Sequence, residues 1–283
     1  MEVRVDGQGY AFMKYYAIMD PELDRKSAVG YLYYYKKANA YIIELCEDIG
    51  EWEAPLLFQG LVKKGIYTVS KEIALLWVRE RVIPSGRQNI GSILKNAKLK
   101  EYNEMALLSL SKGKCSQDSC YIKEVSEPEI PENIKKRSLY NVMECFPTKD
   151  RQIICLFMDH TVRRVNLEDL TEDYNGVSYI LKNEALFQSV KVGVGGYSIV
   201  FNDSIEIDVS LLRKKGKLLS ISTEDFFSFI NRNIVDTTTA CDIMQCSRQN
   251  LSYLVKAQKL TPVFNGTKEN LYTRGAIETV MNE

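Results

Sequence analysis

Histidine is nearly absent from this chain of 283 residues: His160 is the only one. With no second imidazole, no serine or cysteine in a nucleophilic set and no paired carboxylates at a meaningful spacing, the sequence offers no catalytic constellation. No enzyme is expected. Net charge is lacking too. Lysine and arginine together number 37, as do aspartate and glutamate, so no whole-molecule field draws the chain to nucleic acid or membrane. Any such binding must be local. No apolar run is long enough to span a bilayer, and Met1-Glu2-Val3-Arg4-Val5-Asp6 lacks the basic-then-apolar order of a secretory signal. Both point to the cytoplasm and away from membranes. The seven cysteines (Cys46, Cys115, Cys120, Cys145, Cys155, Cys241 and Cys246) are odd in number and scattered, which fits a reducing compartment. Two pairs of them, 115 with 120 and 241 with 246, leave a gap within the looser range for zinc, yet histidine partners are missing. Cys241 and Cys246 read as apolar filler, and no metal or cofactor is expected.

What is present is a folded, divided chain. Hydrophobic residues at 45% and charged residues at 26% exclude disorder, and the length suits two or three cores better than one. The pattern reads as an α+β, multi-domain protein. An N-terminal α+β module spans 1–126, a linker 127–137, a central antiparallel meander with one or two helices 138–217, and an all-α winged helix-turn-helix 218–283. In the first module, residues 3–5 form a strand closed by Asp6-Gly7-Gln8-Gly9, and tyrosine-rich segments 31–35 and 41–45 form two strands around Lys36-Lys37-Ala38-Asn39. From Pro55 the apolar spacing becomes helical: Leu56, Leu57, Leu61 and Val62 share one face, and Ile73, Leu76, Trp77 and Val78 run until Pro84 stops them. Arg81 and Arg87 beside Ser85-Gly86 suit an anion at a helix start or, more simply, an ordinary capped turn. The phrase running from Glu80 to Ile90 loosely resembles uncharacterised bacterial proteins and brings no activity with it. Ser126-Glu127-Pro128-Glu129-Ile130-Pro131-Glu132-Asn133, with two prolines and three acids, reads as the linker.

The centre alternates at strand spacing over 140–146, 153–158 and 162–167, with polar turns between. A helix around 181–186 and strands at 190–192 and 197–201 complete the unit. Gly193-Val194-Gly195-Gly196 reads as a hairpin turn, since strands flank it and no helix follows. Leu186-Phe187-Gln188-Ser189-Val190, followed by Asn202-Asp203-Ser204-Ile205, resembles the DUF2442 family. That resemblance implies a small α+β domain of a kind that occurs attached to helix-turn-helix domains and near toxin genes, with no reaction assigned. Arg213-Lys214-Lys215-Gly216-Lys217 reads as a solvated basic linker, with DNA backbone as its other use. Ser222-Thr223-Glu224-Asp225 caps a helix whose Phe226, Phe227, Phe229 and Ile230 must be covered, by the helix-turn-helix, by a second copy, or by both.

The tail carries most of the functional signal. Thr237-Thr238-Thr239 offers a helix cap, Ala240, Cys241, Ile243 and Met244 follow at helical spacing, and Gln245-Cys246-Ser247 breaks the run. A second helix over 248–258 turns Leu251, Leu254 and Val255 inward. Its other side carries Arg248, Gln249, Asn250, Ser252, Tyr253 and Lys256, a set of forked donors, amides and a phenol suited to base edges and phosphates. Ala240-Cys241-Asp242-Ile243-Met244-Gln245-Cys246-Ser247-Arg248-Gln249-Asn250-Leu251 resembles the start of excisionase and MerR-like winged helix-turn-helix domains. Gln245 stands where that family has glycine, and Cys241 where it has alanine. The resemblance implies a hairpin wing after Lys259-Leu260-Thr261-Pro262-Val263, a last helix after Leu271-Tyr272-Thr273-Arg274, and specific binding to double-stranded DNA. Ser247, Arg248, Gln249, Asn250, Ser252, Tyr253, Lys256 and, in the wing, Lys268 would make the contacts. Five basic and five acidic residues cancel over 236–283, so weak non-specific binding is expected unless the chain is a homodimer. The alternative is an antitoxin-like or adaptor protein that grips a protein partner through its first two domains.

Overall fold

The computed structural model describes residues 13–23 and 27–281. The strand expected at 3–5 and its glycine turn lie outside them. Internal contacts divide the chain into two units: the first holds residues 1–141 with Val192–Ser198, the second Val142–Lys191 with Ile199–Glu283. Helices and antiparallel sheets mix in both, an α+β class.

The first unit runs β1 (Met13–Met19), β2 (Gly30–Tyr35), β3 (Ala40–Leu45), α1 (Gln59–Val62), β4 (Thr68–Val69), α2 (Lys71–Arg79), α3 (Ile90–Asn96), α4 (Glu104–Leu110), β5 (Tyr121–Val125) and α5 (Glu132–Lys135). Its sheet has the order β4-β3-β2-β1-β5. The two tyrosine segments pair across their turn, Tyr35 opposite Ala40 and Tyr34 opposite Tyr41. Asn39 takes the left-handed conformation the turn needs, at φ 45°. β2 is buried on both faces from Gly30 to Tyr34. The tyrosines are therefore core residues: Tyr15 meets Tyr33 edge-on and Tyr34 stacks on Tyr41, each pair with centroids 5.1 Å apart.

Two sequence expectations change in this unit, and one buried charge is new. The proline-containing stretch 127–137 is no linker, because Ile130 and Ile134 are buried in the first unit's core and α5, which carries Ile134, folds within it. Local composition shows the prolines and acids but not where two isoleucines go. Arg81 cannot serve an anion: it lies buried, pairs with Asp118 and stacks 3.8 Å over Trp77. Glu44, 1% exposed, is a buried carboxylate that strand alternation alone did not flag. It accepts hydrogen bonds from the Tyr197 hydroxyl at 3.0 Å, from Thr68 Oγ1 at 2.8 Å and from Arg137 Nη1 at 3.0 Å. Burial pushes its carboxyl above the ordinary range, and those bonds pull against it.

The second unit, which leaves Val192 at the end of β9 and Ser198 at the start of β10 to the first, runs β6 (Val142–Pro147), β7 (Gln152–Phe157), β8 (Val162–Asn166), α6 (Val177–Lys182), α7 (Glu184–Gln188), β9 (Val190–Val192), β10 (Ser198–Phe201), β11 (Ile205–Asp208), α8 (Val209–Lys215), β12 (Lys217–Leu218), α9 (Thr223–Asn233), β13 (Ile234–Asp236), α10 (Thr237–Met244), α11 (Arg248–Lys256), β14 (Phe264–Asn265), β15 (Asn270–Thr273) and α12 (Arg274–Met281). Its sheets have the orders β12-β8-β7-β6, β11-β10-β9 and β13-β15-β14. The helix expected around 181–186 is two short helices, broken at Asn183, whose side chain caps the second by accepting from the Leu186 amide at 3.1 Å. The basic knot is folded and paired, Arg213 with Asp159 at 2.6 Å and Lys215 with Asp173 at 2.9 Å, so it is not a solvated linker. His160 sits in the β7–β8 turn at φ 66°, more than half exposed, with Nδ1 against Glu224.

α9 departs furthest from the sequence reading. Its Phe226 packs with Ile154, Leu156 and Val162 of the meander and stacks on Phe146 at 6.2 Å, not beneath the helix-turn-helix. The tail is also not all-α, since β13, β14 and β15 form a three-stranded sheet around the helix pair. β13 is short and its residues Ile234-Val235-Asp236 run straight into a helix, so periodicity gave no strand signal there.

Candidate nucleic-acid interface

The helix pair is fixed from its caps inward. Asp236, not the threonine run, caps α10: its Oδ1 accepts from the Thr239 amide at 2.7 Å, and that bond holds its carboxyl below the usual range, helped by the charge of Arg248. Thr237 ties α10 to the sheet instead, its Oγ1 donating to the Asn270 carbonyl at 3.2 Å. α10 ends at Gln245 in the left-handed conformation, φ 49° and ψ 43°. That is a place glycine fills without strain, and the backbone goes there because Cys246 N closes back on the Cys241 carbonyl at 3.1 Å. Ser247 then caps α11, accepting from the Asn250 amide at 3.2 Å. Leu251 is buried with Ala240, Cys241, Leu260, Tyr272 and Ile277, and Leu254 and Val255 pack against that core. Burial pushes the Cys241 thiol up, as suits a filler.

With its inner stripe fixed, α11 turns the rest outward. Ser247, Arg248, Gln249, Asn250, Ser252, Tyr253 and Lys256 are all exposed. At about 100° per residue, Gln249, Ser252, Tyr253 and Lys256 crowd the centre of the outer face, while Arg248 and Asn250 flank it on opposite sides. Arg248 is also engaged at home, its Nη2 donating to Thr238 Oγ1 at 2.8 Å. Lys268 is exposed in the turn of the β14–β15 hairpin, 12 residues beyond the helix in sequence. The hairpin closes through Gly266 N on the Glu269 carbonyl at 3.1 Å, where a side chain at 266 would strike that carbonyl.

Two features of this surface escaped the sequence reading. Summing charge over the whole tail hid its segregation: residues 247–268 contain Arg248, Lys256, Lys259 and Lys268 and no acid, although Glu269 follows directly in the β14–β15 turn. Lys259, exposed just past α11, belongs with this group. The second feature is apolar. Val263 and Phe264, at the base of the wing, are each more than half exposed, which a polar wing does not require. An apolar pair opening a two-residue strand was the available signal.

Among the described residues no group of three His, Cys, Asp or Glu is placed to hold a metal ion, and the seven cysteines are unbridged. Burial raises the Cys120 and Cys145 thiols to about 12, which makes them inert. Among the described residues no helix is long and apolar enough to cross a membrane. Compared with known proteins, the chain matches no family model, no curated protein and no solved structure.

Proposed function

We propose that the chain is a sequence-specific DNA-binding protein, a transcriptional regulator that inserts α11 into the major groove of double-stranded DNA and lays the β14–β15 wing along the adjacent backbone. One observation carries this reading: α11 buries a narrow apolar stripe and exposes a continuous face of amides, hydroxyls and cations free of acids. Gln249, Ser252 and Tyr253 reach base edges from the centre of that face. Arg248 reads a guanine from its flank after leaving Thr238, Asn250 reads from the other flank, and Lys256, Lys259 and Lys268 meet phosphates. No catalysis and no cofactor enter. Sequencing of genomic fragments retained by the purified chain tests it. One shared motif is expected with the parent and none with Gln249→Ala/Lys256→Glu. A chain that retains fragments without any common motif contradicts the reading.

A protein-partner role, as in an antitoxin or adaptor, is favoured by one observation in the first unit. Trp52 and Leu56 stand 82% and 81% exposed within four residues of each other. An aromatic anchor of that kind is what binding hot spots are built from. Trp52→Ala/Leu56→Ala is expected to leave DNA selection unchanged and to abolish co-purification of a protein partner. Undiminished co-purification removes this second reading.

A further inference from the structure

We infer that the exposed stripe of α9 is a homodimer interface, packed antiparallel against α9 of a second copy of this chain. α9 is amphipathic in an unusual way. Thr223 is buried and Phe226 packs on the meander, yet Phe229 remains 52% exposed beside Asp225, Ser228 and Arg232, all three exposed as well. These four positions follow the spacing of one helical ridge, so they form a single strip along the helix. Its ends are oppositely charged: an acid in the first turn, a base in the last.

A strip with that charge order complements itself only when two copies run antiparallel. Asp225 of one copy then meets Arg232 of the other at both ends, and Phe229 of each settles against the small Ser228 of its mate. The arrangement is isologous, every contact occurring twice about a twofold axis. Parallel packing would set acid on acid and base on base. Asp225 can serve here without giving up its cap, because both of its bonds to Ser222 fall on Oδ2. The opposite flank of α9 is less suited: Glu224 is held by His160, and Phe227 leans on Phe226 with centroids 6.0 Å apart. Antiparallel helices also set the positive end of one dipole beside the negative end of the other.

The use of such a dimer rests on the DNA-binding reading above. α11 and its wing carry four cations per chain, and a twofold pair would present eight to two half-sites. The interface itself does not depend on DNA. A single helix pair lies at the small end of stable interfaces, so the dimer is expected to form at micromolar rather than nanomolar concentration.

Sedimentation of the full chain without DNA tests this. The expected species at tens of micromolar has twice the 32.4 kDa chain mass. Phe229→Ser and Arg232→Glu are each expected to weaken dimerisation at least about 10-fold, a change of about 1.4 kcal/mol. Because either change alone reads the same if the chain misfolds, Arg232→Glu is mixed with Asp225→Lys. Opposite charges then meet at both ends, and a heterodimer is expected where each variant alone is monomeric. A parent chain monomeric at every concentration, an unaffected Arg232→Glu dimer, or a mixture without heterodimer each overturns the proposal. Motif-specific DNA binding by a monomeric parent would overturn the dimer and leave the DNA reading standing. A dimer that selects no DNA would do the reverse.

Discussion

Arg248 shows how a side chain can be legible in sequence and still be misplaced by it. Ser247-Arg248 marks a helix start, and the capping bond forms, but the guanidinium at the first position of α11 folds back on Thr238 instead of projecting alone. Binding a guanine must exchange that bond for two stronger ones. Arg248→Ala is expected to weaken binding to the selected motif by about 1 to 3 kcal/mol and hardly alter binding to random duplex, as titration of both DNAs would show. Gln245 is the counterpart on the stability side. Its left-handed backbone strains any residue with a Cβ, so Gln245→Gly is expected to stabilise the fold by about 0.5 to 1 kcal/mol in denaturant titration, with DNA affinity unchanged. Glu44 belongs to this scale too. Arg137→Met leaves a buried carboxylate without its cation, and a loss of about 3 kcal/mol is expected. Burial already holds the Glu44 carboxyl above its unfolded value, so its proton is retained to higher pH in the folded chain. The stability it contributes is full below the unfolded value and is lost as pH rises through the folded one. The Arg137→Met deficit should therefore shrink on acidification, and Glu44→Gln added to Arg137→Met should restore most of the loss at neutral pH. A deficit that grows as pH falls would contradict this placement of the charge.

At the scale of elements, periodicity worked where a side chain's fate is settled by its near neighbours. β2 and β3, α2, the meander and the α10–α11 pair all follow from alternation, helical spacing and caps. It failed where distant contacts decide. The stretch 127–137 folds because Ile130 and Ile134 find the first core, and Arg137 finds Glu44 and Glu47. No local rule contains those partners. Likewise Phe226, Phe227 and Phe229 announce that α9 must be covered, but only the fold reveals that Phe226 alone faces the meander. Leu251 is the fully buried residue of α11, with Leu254 and Val255 packed beside it. Leu251→Ala is expected to destabilise the tail by about 3 kcal/mol and to abolish motif binding along with it, whereas exposed Ser252→Ala should leave stability within about 0.5 kcal/mol of the parent. Paired thermal unfolding and DNA binding measurements separate scaffold from contact surface in this way.

At the scale of the molecule, zero net charge is compatible with DNA binding because charge is unevenly spread. The stretch 247–268 holds four cations and no acid, and the remainder of the chain balances them. If Lys256, Lys259 and Lys268 meet phosphate, affinity should fall with salt at a log–log slope of about −2.7 for one bound chain and about twice that for two. Neutralising Lys259 should flatten the slope while leaving the preferred motif intact. The most direct measurement of the central claim is cross-linking from α11 itself, with a photoreactive phenylalanine replacing Tyr253 and the selected duplex as partner. Cross-links to bases within the motif are the expected result. Efficient cross-linking to protein alone, or to DNA outside the motif, would contradict the placement of α11 in the groove.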